Sequence, residues 1–365
     1  VGMDVHKNSF SLCAYDGYTG EIVSESTFAS DVKLVIKFIE TLKSRYENDV
    51  EIKCGYEAGC LGYSLYKSLT ARGVDCVILA PTTMQVSAKN KMVKNDRMDA
   101  LNIAKNLASG SYKAVYVPDE EDVEIKEYIR MIHDFKKELK RVKQEICAFV
   151  LRHGYQYDGK SKWTIRYMNW IRELEMSEIQ RETLNEHIAE MENLNDKINR
   201  FMNRIDEMYQ SERYHEKVSK LRCFKGIETF AAMTIQVETA DFERFPSAKA
   251  YASYTGLTTG EHSSGDKNNR IGITKQGNTV IRKTLVECAQ SLVKGNVYAK
   301  KSQGLKSRQK GMDVNIIAYA DKATERLKKK YQKLIERNVP RNKAIVAVAR
   351  ELACFIWGME TGNIH

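Results

Sequence analysis

The feature that most limits what this chain can fold into is an unbroken series of apolar positions spaced alternately by three and four. It runs Ile125, Tyr128, Ile132, Phe135, Leu139, Val142, Ile146 and Phe149. Such spacing puts every one of these side chains on a single stripe of a long helix, which is the seam of a coiled coil. A polar, glycine-containing interval from His153 to Lys162 follows, and a second seam runs Leu184, Ile188, Met191, Asn195, Ile198, Met202, Ile205 and Tyr209. Asn195 falls at a core position of that second stripe, where a buried amide would weaken the seam but specify its register. The two seams can pair between chains or fold back on each other as an antiparallel hairpin, and the spacing alone allows both.

The preceding residues have a different rhythm. VGMDV, FSLCAYD and EIVSESTF, punctuated by Asp16-Gly17 and Thr19-Gly20, read as three strands joined by tight turns. Asp31 caps a helix with the face Val35, Phe38, Ile39 and Leu42; a fourth strand ends at Glu57; Leu61, Leu65 and Leu69 make a helical stripe that Gly73 stops; and CVILA before Pro81 is a fully apolar fifth strand. Three strands followed by alternating strand and helix predict a mixed sheet covered by helices, with ligands gathering beyond the carboxyl ends of its central strands. Four acids fall where such a site would form. Asp4 interrupts an apolar strand, Glu57 ends another, and Asp96 and Asp99 stand three apart where a helix begins. Asp96 can also be read as a helix cap with Asp99 in the first turn, a role that needs no metal.

Charge is unevenly distributed. The formal net charge is +10, yet residues 221–365 hold 25 basic against 13 acidic residues, while the rest of the chain is nearly balanced. Excess confined to one third is the footprint of a polyanionic partner. In that third, glycines and small polar residues crowd between two helical stretches, with Lys267, Arg270, Lys275, Arg282 and Lys283 around Ser263-Ser264. Flexible backbone beside cations suits close approach to a phosphate. Eight scattered cysteines without a CxxC pair read as reduced core thiols, and no apolar run is long enough to span a membrane. The expectation is a soluble cytoplasmic protein.

GMDVHK at the start, YEAG at 56–59, KNDRMDA at 94–100, the central seams, RFPSAKAYASYTGLTTGEHSSG and ITKQGNTVIRKTL together resemble the DEDD transposases of insertion sequences, the bridge-RNA-guided recombinases. The resemblance implies an α/β RNase H-like (RuvC-like) catalytic domain at 1–115, a coiled-coil oligomerisation region at 116–218, and a mainly α-helical C-terminal transposase domain at 219–365. It implies a metal-binding catalytic tetrad of Asp4, Glu57, Asp96 and Asp99 with Mg²⁺ or Mn²⁺, and a nucleophilic serine at Ser264, with Ser263 the second choice. Double-stranded DNA at element ends and target, a guide RNA, and a homodimer or homotetramer are the implied partners. The chain departs from the family pattern at Thr258-Thr259 and at Glu228, neither of which is a catalytic position. Two rival readings are a metal-dependent junction nuclease that uses water and a non-catalytic nucleic-acid-binding scaffold.

Overall fold

The computed structural model describes residues 1–46, 50–59, 61–85, 95–261 and 270–364. The chain divides into two compact units, Val1–Pro118 and Asp119–His365.

The first unit begins with strands β1 (Gly2–Val5), β2 (Ser9–Tyr15) and β3 (Ile22–Ala29), then α1 (Val32–Lys43), β4 (Lys53–Glu57), α2 (Ser64–Thr70), β5 (Asp75–Leu79) and α3 (Asp96–Ala108). The sheet order is β3-β2-β1-β4-β5, antiparallel on the β3 side of β1 and parallel on the β4 side. The turn signals act as their chemistry requires: Asp16 accepts from the backbone N–H groups of Tyr18 and Thr19, and Gly20 adopts a φ of 78°. Asp31 caps α1 through the N–H of Lys33. Because side chains alternate across a strand, the sheet builds two cores. Met3, Leu12, Tyr56 and Ile78 pack with Val35 and Ile39 of α1 and Leu65 and Leu69 of α2, whereas Cys13 packs with Ala100, Leu101 and Ala104 of α3, and Leu79 with Ile103 and Leu107. Tyr56 pins the loop after β4, accepting from the Tyr66 N–H and donating to the Gly62 carbonyl.

The second unit opens with α4 (Glu120–Arg152), α5 (Ile165–Arg172) and α6 (Glu178–Tyr209). Ile125, Ile129 and Ile132 share a core with Ile205 and Tyr209, and Ile146 and Phe149 share another with Leu184 and Ile188. The seams therefore pair antiparallel within one chain. The second seam takes a different residue from the one expected: Leu194 is 3% exposed, and Asn195 lies at the edge. Met191 to Ile198 can be bridged as three plus four or four plus three, and burying a leucine is favourable where burying an amide is costly.

After α7 (Glu212–Arg222), α8 (Thr229–Thr239) is buried on all sides from Ala232 to Thr239. Around it lie α9 (Ala248–Tyr254), the two-stranded arm β6 (Thr259–Glu261) and β7 (Arg270–Ile273), α10 (Thr279–Leu292), α11 (Gln303–Gln309), α12 (Val314–Glu336) and α13 (Arg341–Glu360). This packing places the near ends of α4 and α6 in the same core as α8, α10 and α13. Among the described residues the cysteines are free thiols, and no helix is long and apolar enough to cross a membrane.

Candidate active site

The acidic centre is assembled by the contact between α3 and the middle of the sheet. Gly2 makes that contact possible, since a Cβ there would lie 2.2 Å from the Ala100 carbonyl oxygen and 2.3 Å from the Ala104 nitrogen. Gly55 serves similarly on β4, where a Cβ would meet the side chains of Leu79 and Leu107. With α3 seated on this glycine floor, strand alternation puts Asp4 on the α3 face, two residues beyond Gly2. Parallel pairing of Gly2 with Gly55 and Met3 with Tyr56, extended by one step, sets Glu57 beside Asp4 on the neighbouring strand and on the same face.

Asp96 and Asp99 occupy the first turn of α3. The cap of that helix is Asn95, whose side chain accepts from the Met98 N–H at 2.9 Å, so Asp96 is not committed to capping. His6 Nε2 lies 3.2 Å from Asp4 Oδ2 and 3.7 Å from Asp96 Oδ1, and ligand atoms of Asp4, His6 and Asp96 fall within 4.8 Å of one another. Burial is the main cause holding the Asp4 carboxyl above the ordinary range; His6 opposes it, and the charges of Asp96 and Asp99 add to it. Negative charge is thus concentrated at the end of β1 beyond what one histidine balances. The neighbouring Arg97 pairs with Glu25 of β3. Of the expected acids, Asp4 and Asp96 come together, with His6 between them, while Asp99 lies in the same helical turn and Glu57, exposed at the end of β4, is outside that group. An imidazole two residues past a strand carboxylate was the only sequence signal for His6.

In the second unit, Ser263, Ser264 and Lys267 lie outside the described residues, and Arg270 opens β7. Lys275 is exposed with a left-handed φ of 57°, and its N–H donates to the Gly256 carbonyl. Arg282 donates to the Thr255 carbonyl at 3.2 Å, and Lys283 stands 3.9 Å from Glu287. Of these cations, Arg282 is thus engaged in holding the loop.

The base of the arm rests on a group that sequence reading missed. Glu238, buried in α8, accepts from Arg130 through both carboxylate oxygens, at 2.7 and 3.0 Å, and from Asn278 at 2.7 Å, with Lys126 at 3.5 Å. Burial alone would raise its pKa, but Arg130, Lys126 and Asn278 outweigh it and hold the carboxyl below the usual value. Asn278 also caps α10. A single carboxylate therefore ties α4, α8 and the exit of the β6–β7 arm together.

Comparison with known proteins gives these parts their context. An IS110-type DEDD family model, described as Transposase, matches residues 1–154, and one described as the IS116/IS110/IS902 transposase family matches residues 218–303. The putative transposase y4qE of Sinorhizobium fredii is 31% identical over 98% of this chain and 87% of its own. The transposase for insertion sequence element IS1533 of Leptospira borgpetersenii is 30% identical over 92% of this chain and 96% of its own. The chain belongs to the IS110 family of transposases.

Transposases cut and rejoin DNA, so the chain is an enzyme that binds DNA. The DEDD match spans all four acids of the first unit, and the second match spans Glu238, Asn278 and the segment that contains Ser264. A DEDD domain points to a divalent cation. The donor set fits one: Asp4 and Asp96 offer hard carboxylate oxygens with His6 Nε2 beside them, and an added divalent cation relieves the crowding of negative charge around Asp4.

Proposed function

We propose that this transposase cuts and rejoins the strands of an insertion sequence in the cytoplasm, with Asp4, Glu57, Asp96 and Asp99 holding Mg²⁺ or Mn²⁺ and Ser264 as nucleophile. The observation that carries the reading is the convergence of Asp4 and Asp96, from a strand end and a helix start, to within 4.8 Å. When bound, the cation would neutralise charge on the phosphate under attack. His6, between Asp4 and Asp96, is placed to take up or return a proton at Nε2. Ser264 Oγ attacks the phosphorus, a P–O bond to serine forms, and the bond to a deoxyribose oxygen breaks as that oxygen gains a proton. Attack by a strand hydroxyl then reverses the exchange, releasing serine, so the number of phosphodiesters is conserved and no high-energy cofactor is consumed.

In this reading residues 1–115 are an RNase H-like catalytic domain, 116–218 a coiled-coil region that assembles a dimer or tetramer, and 219–365 the transposase domain. A guide RNA selects the DNA sites, and Lys267, Arg270, Lys275, Arg282 and Lys283 line the approach of the phosphate backbone. The test is covalent trapping on a nicked substrate with Mg²⁺. The expected result is a protein–DNA adduct at Ser264 that disappears in Ser264→Ala and in Asp4→Asn, while DNA binding persists. Strand cleavage by Ser264→Ala without an adduct would identify a water-using nuclease instead, and cleavage undiminished in excess EDTA would remove the metal.

A further inference from the structure

The far end of the helical hairpin contains a recess of about 840 Å³ between α4, α5 and the connecting segment. Its chemistry differs from its surroundings. Residues 111–220 hold 20 basic and 22 acidic residues, yet Lys136, Lys140, Lys143 and Lys162 line the recess, and no carboxylate does among the described residues. Lys140 and Lys143 stand three apart on one face of α4, while Lys136, one turn earlier, lies over the Phe230 ring at 3.6 Å and 3.8 Å from Met202 Sδ.

The opposite wall is aromatic, made of Tyr155, Tyr157, Trp163, Tyr167 and Trp170. Tyr167 is 1% exposed and forms the floor, with Tyr157, Trp163 and Trp170 ring centroids 5.0, 5.1 and 5.6 Å from it. Trp163 and Trp170 are only partly covered. Trp163 also holds a left-handed φ of 66°, a backbone conformation a bulky residue adopts at a cost. Lys143 Nζ lies 5.3 Å from its ring. Partly exposed rings, one of them faced by Lys143, bordered by lysines with no carboxylate among the described lining residues, match an unstacked base attached to a phosphate. A duplex hides its bases in the stack and offers only phosphates to such a site. An apolar peptide would leave the lysines without partners.

We infer that this recess binds an unpaired nucleotide of single-stranded DNA, a base against Trp163 and Trp170 and its phosphate among Lys140, Lys143 and Lys162. DNA is the strand chosen because the chain belongs to a family of transposases, whose substrate is DNA. The site is built from residues of the second unit alone and does not depend on the serine mechanism.

The test uses the full chain, a fluorescent thymidine oligonucleotide and a hairpin duplex, with affinities read by anisotropy. Trp163→Ala is expected to weaken single-strand binding about tenfold, with Trp163→Phe recovering most of the loss, since an aromatic face is the requirement. Lys140→Glu combined with Lys162→Glu, both exposed and neither facing a ring of the cluster, is expected to do the same. Duplex affinity should stay within about twofold in both Trp163 variants, because the duplex offers no free base to the rings. Photo-crosslinking of a 5-iododeoxyuridine oligonucleotide should map to Trp163, Trp170 or a neighbouring tyrosine. Several results would overturn the inference: single-strand affinity unchanged in both Trp163→Ala and the lysine variant, an equal loss on the duplex in Trp163→Ala, or a crosslink outside the recess. RNA of matching sequence bound tenfold more tightly would reassign the site to RNA. A smaller oligomer in Trp163→Ala by light scattering would reassign it to a protein interface.

Discussion

Glycine 2 shows how much of a catalytic centre can depend on an atom that is missing. A methyl group there meets backbone rather than a movable side chain, 2.2 Å from the Ala100 carbonyl, so α3 must retreat and take Asp96 and Asp99 with it. Gly2→Ala is expected to cost about 1–3 kcal/mol in thermal denaturation and to abolish cleavage, although no catalytic group is altered. Glu360, at the end of α13, presents a different case. Burial pushes its carboxyl up to about 7, and one oxygen has no hydrogen-bond partner. The folded chain therefore keeps this proton at pH values where the unfolded chain has released it. Stability from this group is present below about pH 4.5 and falls as pH rises through about 7, a loss on the order of 3 kcal/mol. Glu360→Gln should flatten that decline, so that its melting temperature exceeds the parent's at pH 8 and matches it near pH 4.

At the scale of elements, the hairpin and the Glu238 network divide the work of holding the second unit. Leu194→Ala is expected to cost about 2–5 kcal/mol and Asn195→Ala less than about 0.5, measured by urea denaturation; the opposite order would restore the register expected from the sequence. Around Glu238 the two partners are not equivalent. Arg130 is half exposed in its side chain while Glu238 is fully enclosed, so Arg130→Met leaves a buried carboxylate short of a partner and should cost about 3–5 kcal/mol. Glu238→Gln, which lets Arg130 turn to water, should cost less. Since Asn278 joins this network to the exit of the β6–β7 arm, both variants are expected to slow adduct formation as well.

For the whole molecule, the charge imbalance after residue 220 gives the enzyme its electrostatic character. On α12, Lys322, Arg326, Lys329 and Lys333 share one helical face that Arg337 extends at the C-cap, partly neutralised by Glu325 and Glu351. Duplex affinity is expected to fall with log salt at about 0.9 per phosphate contacted. Charge-reversing three of these side chains should lower that slope without touching the Asp4 centre. An unchanged slope would place the duplex elsewhere.

Local chemistry determined most of the elements by itself. Period-two and period-three-four patterns, the Asp31 cap, the Asp16 turn and Gly73 mark strands and helices wherever they occur, because those signals act within a few residues. The positions of Asp4, Glu57 and the Asp96–Asp99 pair at element ends were legible for the same reason. Four things required the tertiary structure. An apolar stripe says that a helix face is covered but not by what, so the pairing of α4 with α6 in one chain was open. Leu194 and Asn195 satisfy the spacing equally well, and only the opposing helix chooses between them. Glycines on a strand do not announce which helix will seat on them. The ion pair from Arg130 to Glu238 joins residues 108 positions apart, a separation at which sequence periodicity carries no information and packing alone decides.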